Sequence, residues 1–198
     1  MPLQNRVTPL GELVATPERG LVYGNRGCLH DEQRRIRRQW QVKRWLSCRL
    51  EFRGRSRPGG PMPPGRYTGL FFLDDATAFA AGHRPCAECR REDYKRFLAL
   101  VGESRAGAID ERLHAERLEP KPQRAAASLP DGAFVLRDGE PWLVLAGKLL
   151  RWSPGGYAEQ RPATGRASVI TPLSVLPVLE SGWDGVVPFL HPSSRSDA

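Results

Sequence analysis

The pair Cys86 and Cys89, set in Pro85-Cys86-Ala87-Glu88-Cys89, constrains this chain more than any other feature. Two intervening residues let both sulfurs face one ion, and the amides of such a turn favour thiolates. Arg84, Arg90 and Arg91 surround the pair with positive charge that acts in the same direction. A thioredoxin-type redox pair would follow a strand. Here the preceding stretch, "DATAFAAG", reads instead as a short helix capped by Asp74 and stopped by Gly82. The spacing therefore predicts a zinc knuckle. A second helix is expected from near Cys86 to about Val101, with Tyr94, Phe97, Leu98 and Val101 on its apolar face.

A closed tetrahedral site needs two more ligands. Three candidates lie upstream: Cys28, His30 and Cys48. Cys48 shares one face of the alternating segment "RWLSCRLEF" with Leu46, Leu50 and Phe52, where it could equally be a core thiol. Cys28 and His30 stand two apart in "GNRGCLHDE". The expected metal set is Cys86, Cys89, Cys48 and Cys28, with His30 as the substitute fourth ligand. "RWLSCRLEF" and "RYTGLFFL" are expected to pair as antiparallel strands across the Gly- and Pro-dense loop between them.

The stretch "FFLDDATAFAAGHRPCAECRR" resembles the second half of the zinc-binding N-terminal domain of Ada-type DNA-repair proteins. That family shares paired phenylalanines, an Ala-rich helix ending in Ala-Gly, and Arg-Pro-Cys followed two residues later by Cys. Phe71, Phe72, Ala80, Ala81, Gly82, Arg84, Pro85, Cys86 and Cys89 occupy those positions. The resemblance covers about 20 residues and implies a zinc-supported fold that contacts DNA. The family places two ligands four apart before the strand. If Cys28 is the second, the first falls on Gly24, which cannot bind metal, so the methyl-accepting cysteine of the family has no counterpart and its transfer activity does not carry over.

The expected fold class is α+β: a small Ada-like zinc module with a long basic insertion, followed by a small β-rich domain. Residues 1–19 read as an extended lead-in, 20–105 as the zinc module, 106–130 as a helix and linker, and 131–191 as the β-rich part. In the last, "GAFVL", "PWLVL" and "KLLRW" are short strands parted by Asp138-Gly139 and Ala146-Gly147, suited to a partly open barrel, and Thr171-Pro172 opens a helix that Gly182 stops.

Charge supplies the functional expectation. The chain carries a net +8, yet from Arg34 to Arg66 eleven Lys or Arg face a single acid, Glu51. A local excess of this kind suits a polyanion. Arg34, Arg35, Arg37, Arg38, Lys43, Arg44, Arg53, Arg55 and Arg57 are the expected nucleic-acid contacts, DNA foremost, with Trp40 and Trp45 as base platforms or packing residues. No apolar run reaches the roughly 20 residues of a membrane span, no signal peptide is evident, and a cytoplasmic protein is expected. An enzyme is a weaker expectation. His114-Ala115-Glu116 matches half of the zinc-deaminase signature, but it follows the Pro-Cys-x-x-Cys half instead of preceding it. That His is expected on the solvated face of a helix whose buried side is Ile109, Leu113 and Leu118. A metal-assisted nuclease, drawing on His30, His83 or His114, or a nucleic-acid repair enzyme is the alternative function, and a protein-interaction adaptor the second alternative.

Overall fold

The computed structural model describes residues 1–54, 59–182 and 189–195. Its first half is a six-stranded mixed sheet made of β1 (Gln4–Val7), β2 (Leu13–Ala15), β3 (Val22–Asn25), β4 (Leu46–Cys48), β5 (Leu70–Phe72) and the two-residue β6 (Arg84–Pro85), in the order β2-β1-β5-β3-β4-β6. The lead-in thus enters the sheet as β1 and β2. The strands expected to pair directly, β4 and β5, are separated by β3, which runs antiparallel to both. Gly24 makes this insertion feasible: a Cβ there would meet the Leu46 carbonyl oxygen at 2.2 Å and the Phe72 ring at 2.8 Å.

Three helices follow: α1 (Asp75–Ala80), α2 (Arg91–Leu100) and α3 (Ala106–Leu118). The second begins five residues later than the sequence suggests, because Cys86–Arg90 is spent on the turn that holds the thiols. The remaining strands, β7 (Gln123–Ala125), β8 (Phe134–Arg137), β9 (Glu140–Leu145), β10 (Lys148–Ser153), β11 (Gly156–Pro162) and β12 (Arg166–Val169), form an antiparallel sheet in the order β11-β10-β9-β8-β12-β7. Asp138-Gly139 and Ala146-Gly147 turn two of its hairpins with positive φ at both central residues, the twist-matched geometry for a two-residue loop. The order is that of an open sheet rather than a barrel, and no pairing joins its two edges among the described residues. A 3-10 turn at Leu173–Val175 leads into α4 (Leu176–Glu180), close to where Thr171-Pro172 predicts a helix. Helices and two sheets together make the fold α+β.

α1 joins the two halves. All six of its residues are buried. Ala78 packs with Val22, Leu70 and Phe72 of the first sheet, while Ala76 and Ala80 pack with Phe134, Leu143 and Leu150 of the second. Phe79 enters the largest core beside Phe97, Ile109, Leu113 and Trp142. Small side chains on opposite faces are what allow both sheets to approach one helix. Asp74 caps it as expected, accepting from the Thr77 amide at 2.9 Å and the Thr77 hydroxyl at 2.7 Å. Its other oxygen accepts from Tyr157 Oη at 2.7 Å and the His191 amide at 3.0 Å. Burial pushes the Asp74 carboxyl upward, and these four donors oppose that push.

His83 follows α1 and is fully buried, its ring 5.0 Å from Trp45 and 4.6 Å from Phe72, with neither nitrogen hydrogen-bonded. Burial, then the charges of Arg26 and Arg117, hold it well below its ordinary value. Folding therefore favours the neutral ring. Its contribution is complete above the unfolded-state value of about 6.5 and is lost as the pH falls below it. We expect the unfolding free energy of the native chain to drop, relative to His83→Leu, by about 1.4 kcal/mol per pH unit between pH ~6 and ~5. Urea unfolding at a series of pH values checks this, and parallel pH profiles would contradict it.

Candidate metal centre and basic segment

Register explains how three cysteines meet. β4 runs parallel to β6, with Leu46 beside Arg84 and Ser47 beside Pro85, so the next step along both strands brings Cys48 to Cys86. The Cys86 amide donates to the Ser47 carbonyl at 2.9 Å and fixes that step. Cys89 lies in the same turn, and the Sγ atoms of Cys48, Cys86 and Cys89 all fall within 4.8 Å of one another. Around a tetrahedral ion with metal–sulfur bonds of about 2.3 Å, sulfurs sit roughly 3.8 Å apart. The three thiols therefore fit a metal ion and could hold one.

Electrostatics agrees with this geometry. Cys86 is drawn far below its ordinary value, first by hydrogen bonds from the Cys48 and Cys89 thiols and then by the Cys89 and Glu88 amides, the last 3.5 Å from its sulfur. Cys48 is pushed far above its ordinary value, first by Cys86, then by Cys89 and by burial. Thiols this close oppose one another's ionisation, a conflict a dication removes.

Two buried ion pairs brace the knuckle. Arg90 makes a two-pronged pair with Asp75 at the start of α1, reaches Asp93 at 2.8 Å, and donates to Ser47 Oγ at 3.3 Å. Arg84 clasps Asp110 of α3 with contacts of 2.7 and 2.9 Å. The arginines that suggest thiolate stabilisation in the sequence are therefore, in two of three cases, the fasteners of the turn. Arg91 is exposed.

Cys28 and His30 do not join the group, which corrects the expected ligand set. β3 is antiparallel to β4 with Tyr23 beside Cys48 and Asn25 beside Leu46, so the chain leading to Cys28 runs away from Cys48 at about 3.3 Å per strand residue. The Cys28 sulfur lies 3.7 Å from the His30 carbonyl oxygen. His30 is buried, with Nδ1 2.6 Å from Thr68 Oγ1 and Nε2 3.2 Å from the Pro63 carbonyl oxygen, so both of its ligating atoms are already engaged. Among the described residues no fourth His, Cys, Asp or Glu donor completes the cluster. The thiols instead line a cavity of about 260 Å³ shared with Tyr23, Asn25, Arg49 and Tyr67.

The basic segment is the long connection between β3 and β4. Arg34, Arg35, Arg37, Arg38, Lys43, Arg44 and, beyond β4, Arg53 are all exposed. Arg37 pairs with Asp31 at 2.7 Å and Lys43 with Glu111 at 2.5 Å. Arg34, Arg35, Arg38 and Arg44 make no ion pair among the described residues, and Arg55 and Arg57 lie outside them. The connection lacks regular structure but is fastened: the Arg37 amide donates to the Leu29 carbonyl at 2.8 Å, the Gln41 amide to the Arg26 carbonyl at 3.1 Å, and the Cys28 amide to Gln41 Oε1 at 2.7 Å. Trp45 is buried beneath Arg26 and Arg117, whose guanidinium carbons lie 4.3 and 3.9 Å from its ring centre. Trp40 remains 38% exposed, edge-on to His114 at 4.6 Å. His114 is itself buried rather than solvated, and Leu118, expected inside, is exposed. Glu116 accepts from the Ser174 amide and hydroxyl at 3.2 and 3.1 Å, remote from deaminase chemistry.

Compared with protein-family models, with characterised proteins and with solved structures, the chain shows no match in any of the three. Among the described residues no helix is long and apolar enough to cross a membrane.

The cluster makes a sharp forecast. Cys48→Ser and Cys86→Ser should each abolish the roughly one equivalent of divalent metal expected per chain, whereas Cys28→Ser should retain it. Elemental analysis of the purified variants decides; loss of metal in Cys28→Ser would restore the ligand set read from the sequence.

Proposed function

We propose that this chain is a zinc-stabilised nucleic-acid-binding protein, DNA foremost, in which zinc is structural. The observation that carries the reading is the exposure of four arginines, Arg34, Arg35, Arg38 and Arg44, without acidic partners among the described residues, on a connection that ends in the metal-competent strand β4. Three thiolates favour zinc over harder cations. When bound, zinc would supply a cross-link between β4 and the turn before α2, with the fourth position left to water or a small ligand.

The Ada resemblance supports a DNA-facing role but not methyl transfer. A side chain at Gly24 has no room beside the Leu46 carbonyl, so a cysteine cannot stand there without moving β4. Nuclease chemistry finds little support in the site. His30 is hydrogen-bonded at both nitrogens, His83 is enclosed by aromatic rings, His114 lies against Trp40, and none stands with the thiols.

Each phosphate neutralised releases counterions, so log affinity falls with log salt by about 0.9 per contact on duplex DNA. Replacing Arg34, Arg35, Arg38 and Arg44 together by Ala should reduce that slope by roughly 3 to 4. Fluorescence anisotropy with a labelled duplex between about 50 and 200 mM salt checks this. Salt-independent binding, or an unchanged slope in the quadruple variant, would overturn the reading.

A further inference from the structure

We infer that the cleft between the basic segment and α3 is a binding site for a nucleotide unit, an aromatic base joined to a phosphate. The cleft has a volume of about 470 Å³, within the range of small-ligand sites. Its walls join two chemistries that seldom coincide by accident.

One is positive charge without a directly paired acid. Arg117 and Lys121 line the cleft, and Arg26 lies behind it, fully buried. Arg26 donates from one nitrogen to the Gly11 carbonyl at 2.8 Å, while its Nε and other terminal nitrogen have no partner; Arg117 Nε has none either. None of the three cations makes an ion pair among the described residues. Burial brings both guanidiniums down to about 9, assisted at Arg26 by the charge of Arg117 and opposed at Arg117 by the carboxylates of Asp110 and Glu116. A guanidinium nevertheless keeps its proton in a protein, so the wall of the cleft stays cationic, with hydrogen-bond donors left over for an anion. The room for Arg117 is specifically made: a Cβ on Gly82, whose φ is +78°, would lie 2.7 Å from Arg117 Nε.

The other is exposed aromatic and apolar surface. Trp40, Leu10 and Leu118, among the few large apolar side chains left exposed, all rim this cleft. Trp45 is already covered by two guanidiniums, which leaves Trp40, steadied by His114, as the stacking platform. Paired cations suit a phosphate. Glu12, the one acid on the walls, sits on the exposed rim, where it could accept from the exocyclic amine of a base.

The unit can be a free mononucleotide or an unpaired residue of a strand, and the inference does not rest on the arginine-rich segment binding a polyanion. Isothermal titration calorimetry distinguishes these cases, using AMP, adenosine, inorganic phosphate and a short single-stranded oligodeoxyadenylate on the full chain. AMP or the oligonucleotide should bind at least about tenfold more tightly than either adenosine or phosphate. Trp40→Leu, an exposed change, should weaken binding about tenfold, as should Lys121→Ala and Arg117→Met. The quadruple arginine variant should keep its affinity for AMP, or, if only the strand binds, should keep its sensitivity to Trp40→Leu. Binding of AMP assigns a free nucleotide, and binding of the strand alone assigns an unpaired unit. Absence of both, phosphate binding as tight as AMP binding, or indifference to Trp40→Leu would overturn the inference.

Discussion

Two adjacent carboxylates, Asp74 and Asp75, hold this structure together, because each ties a different part of the chain to the same short helix. Asp74 collects Tyr157 and the His191 amide from the C-terminal sheet and its flank, and Asp75 collects Arg90 from the thiol turn. A six-residue helix has no stability of its own. It persists because both sheets close on its alanines, and the two aspartates fix the angle at which they do so. Breaking a buried pair such as Asp75–Arg90 by removing one partner leaves the other charge stranded, which typically costs about 3–5 kcal/mol. The thiol cluster inherits this dependence, since Arg90 also touches Ser47, the residue before Cys48.

What was legible in the sequence was local. The Asp74 cap, the Cys86–Cys89 turn and the glycine hairpins each depend on residues within a few positions of one another, and each appears where the pattern places it. Cys48 could also be read as a ligand because the strand pattern put it on a definite face. The choice between Cys28 and no fourth protein ligand was not legible, because it turns on the register of β3 against β4 and on β3 entering between β4 and β5. No spacing rule reports that. The clue available was Gly24, a glycine within a strand, which signals close backbone approach.

Periodicity likewise misjudged α3. Ile109 and Leu113 are buried as expected, but His114 and not Leu118 completes the covered surface, because the basic connection folds over that side of the helix and sets Trp40 against His114. The cationic cleft was invisible for the same reason. Arg26 sits in a loop and Arg117 in a charged helix, both ordinary places for a solvated arginine, and only the fold brings them over one indole.

The connection between β3 and β4 is where these threads meet. A long segment without helix or strand usually pays a large ordering cost when it binds a partner. This one is tied at several points beforehand: on itself by backbone bonds to Leu29 and Arg26, to the Thr68 amide by the Gly27 carbonyl, to α3 by Lys43–Glu111 and by Arg117 donating to the Lys43 carbonyl at 3.3 Å, and to the thiol turn through β4. Its arginines are therefore offered from a fixed frame. An ordered frame spends less of the interaction energy on immobilisation, so under the proposed function a modest number of phosphate contacts would suffice. Metal at Cys48 would tighten the last of those ties, and under the proposed nucleic-acid-binding function its influence on affinity would come through the order of the loop, with no need for the ion to touch the partner.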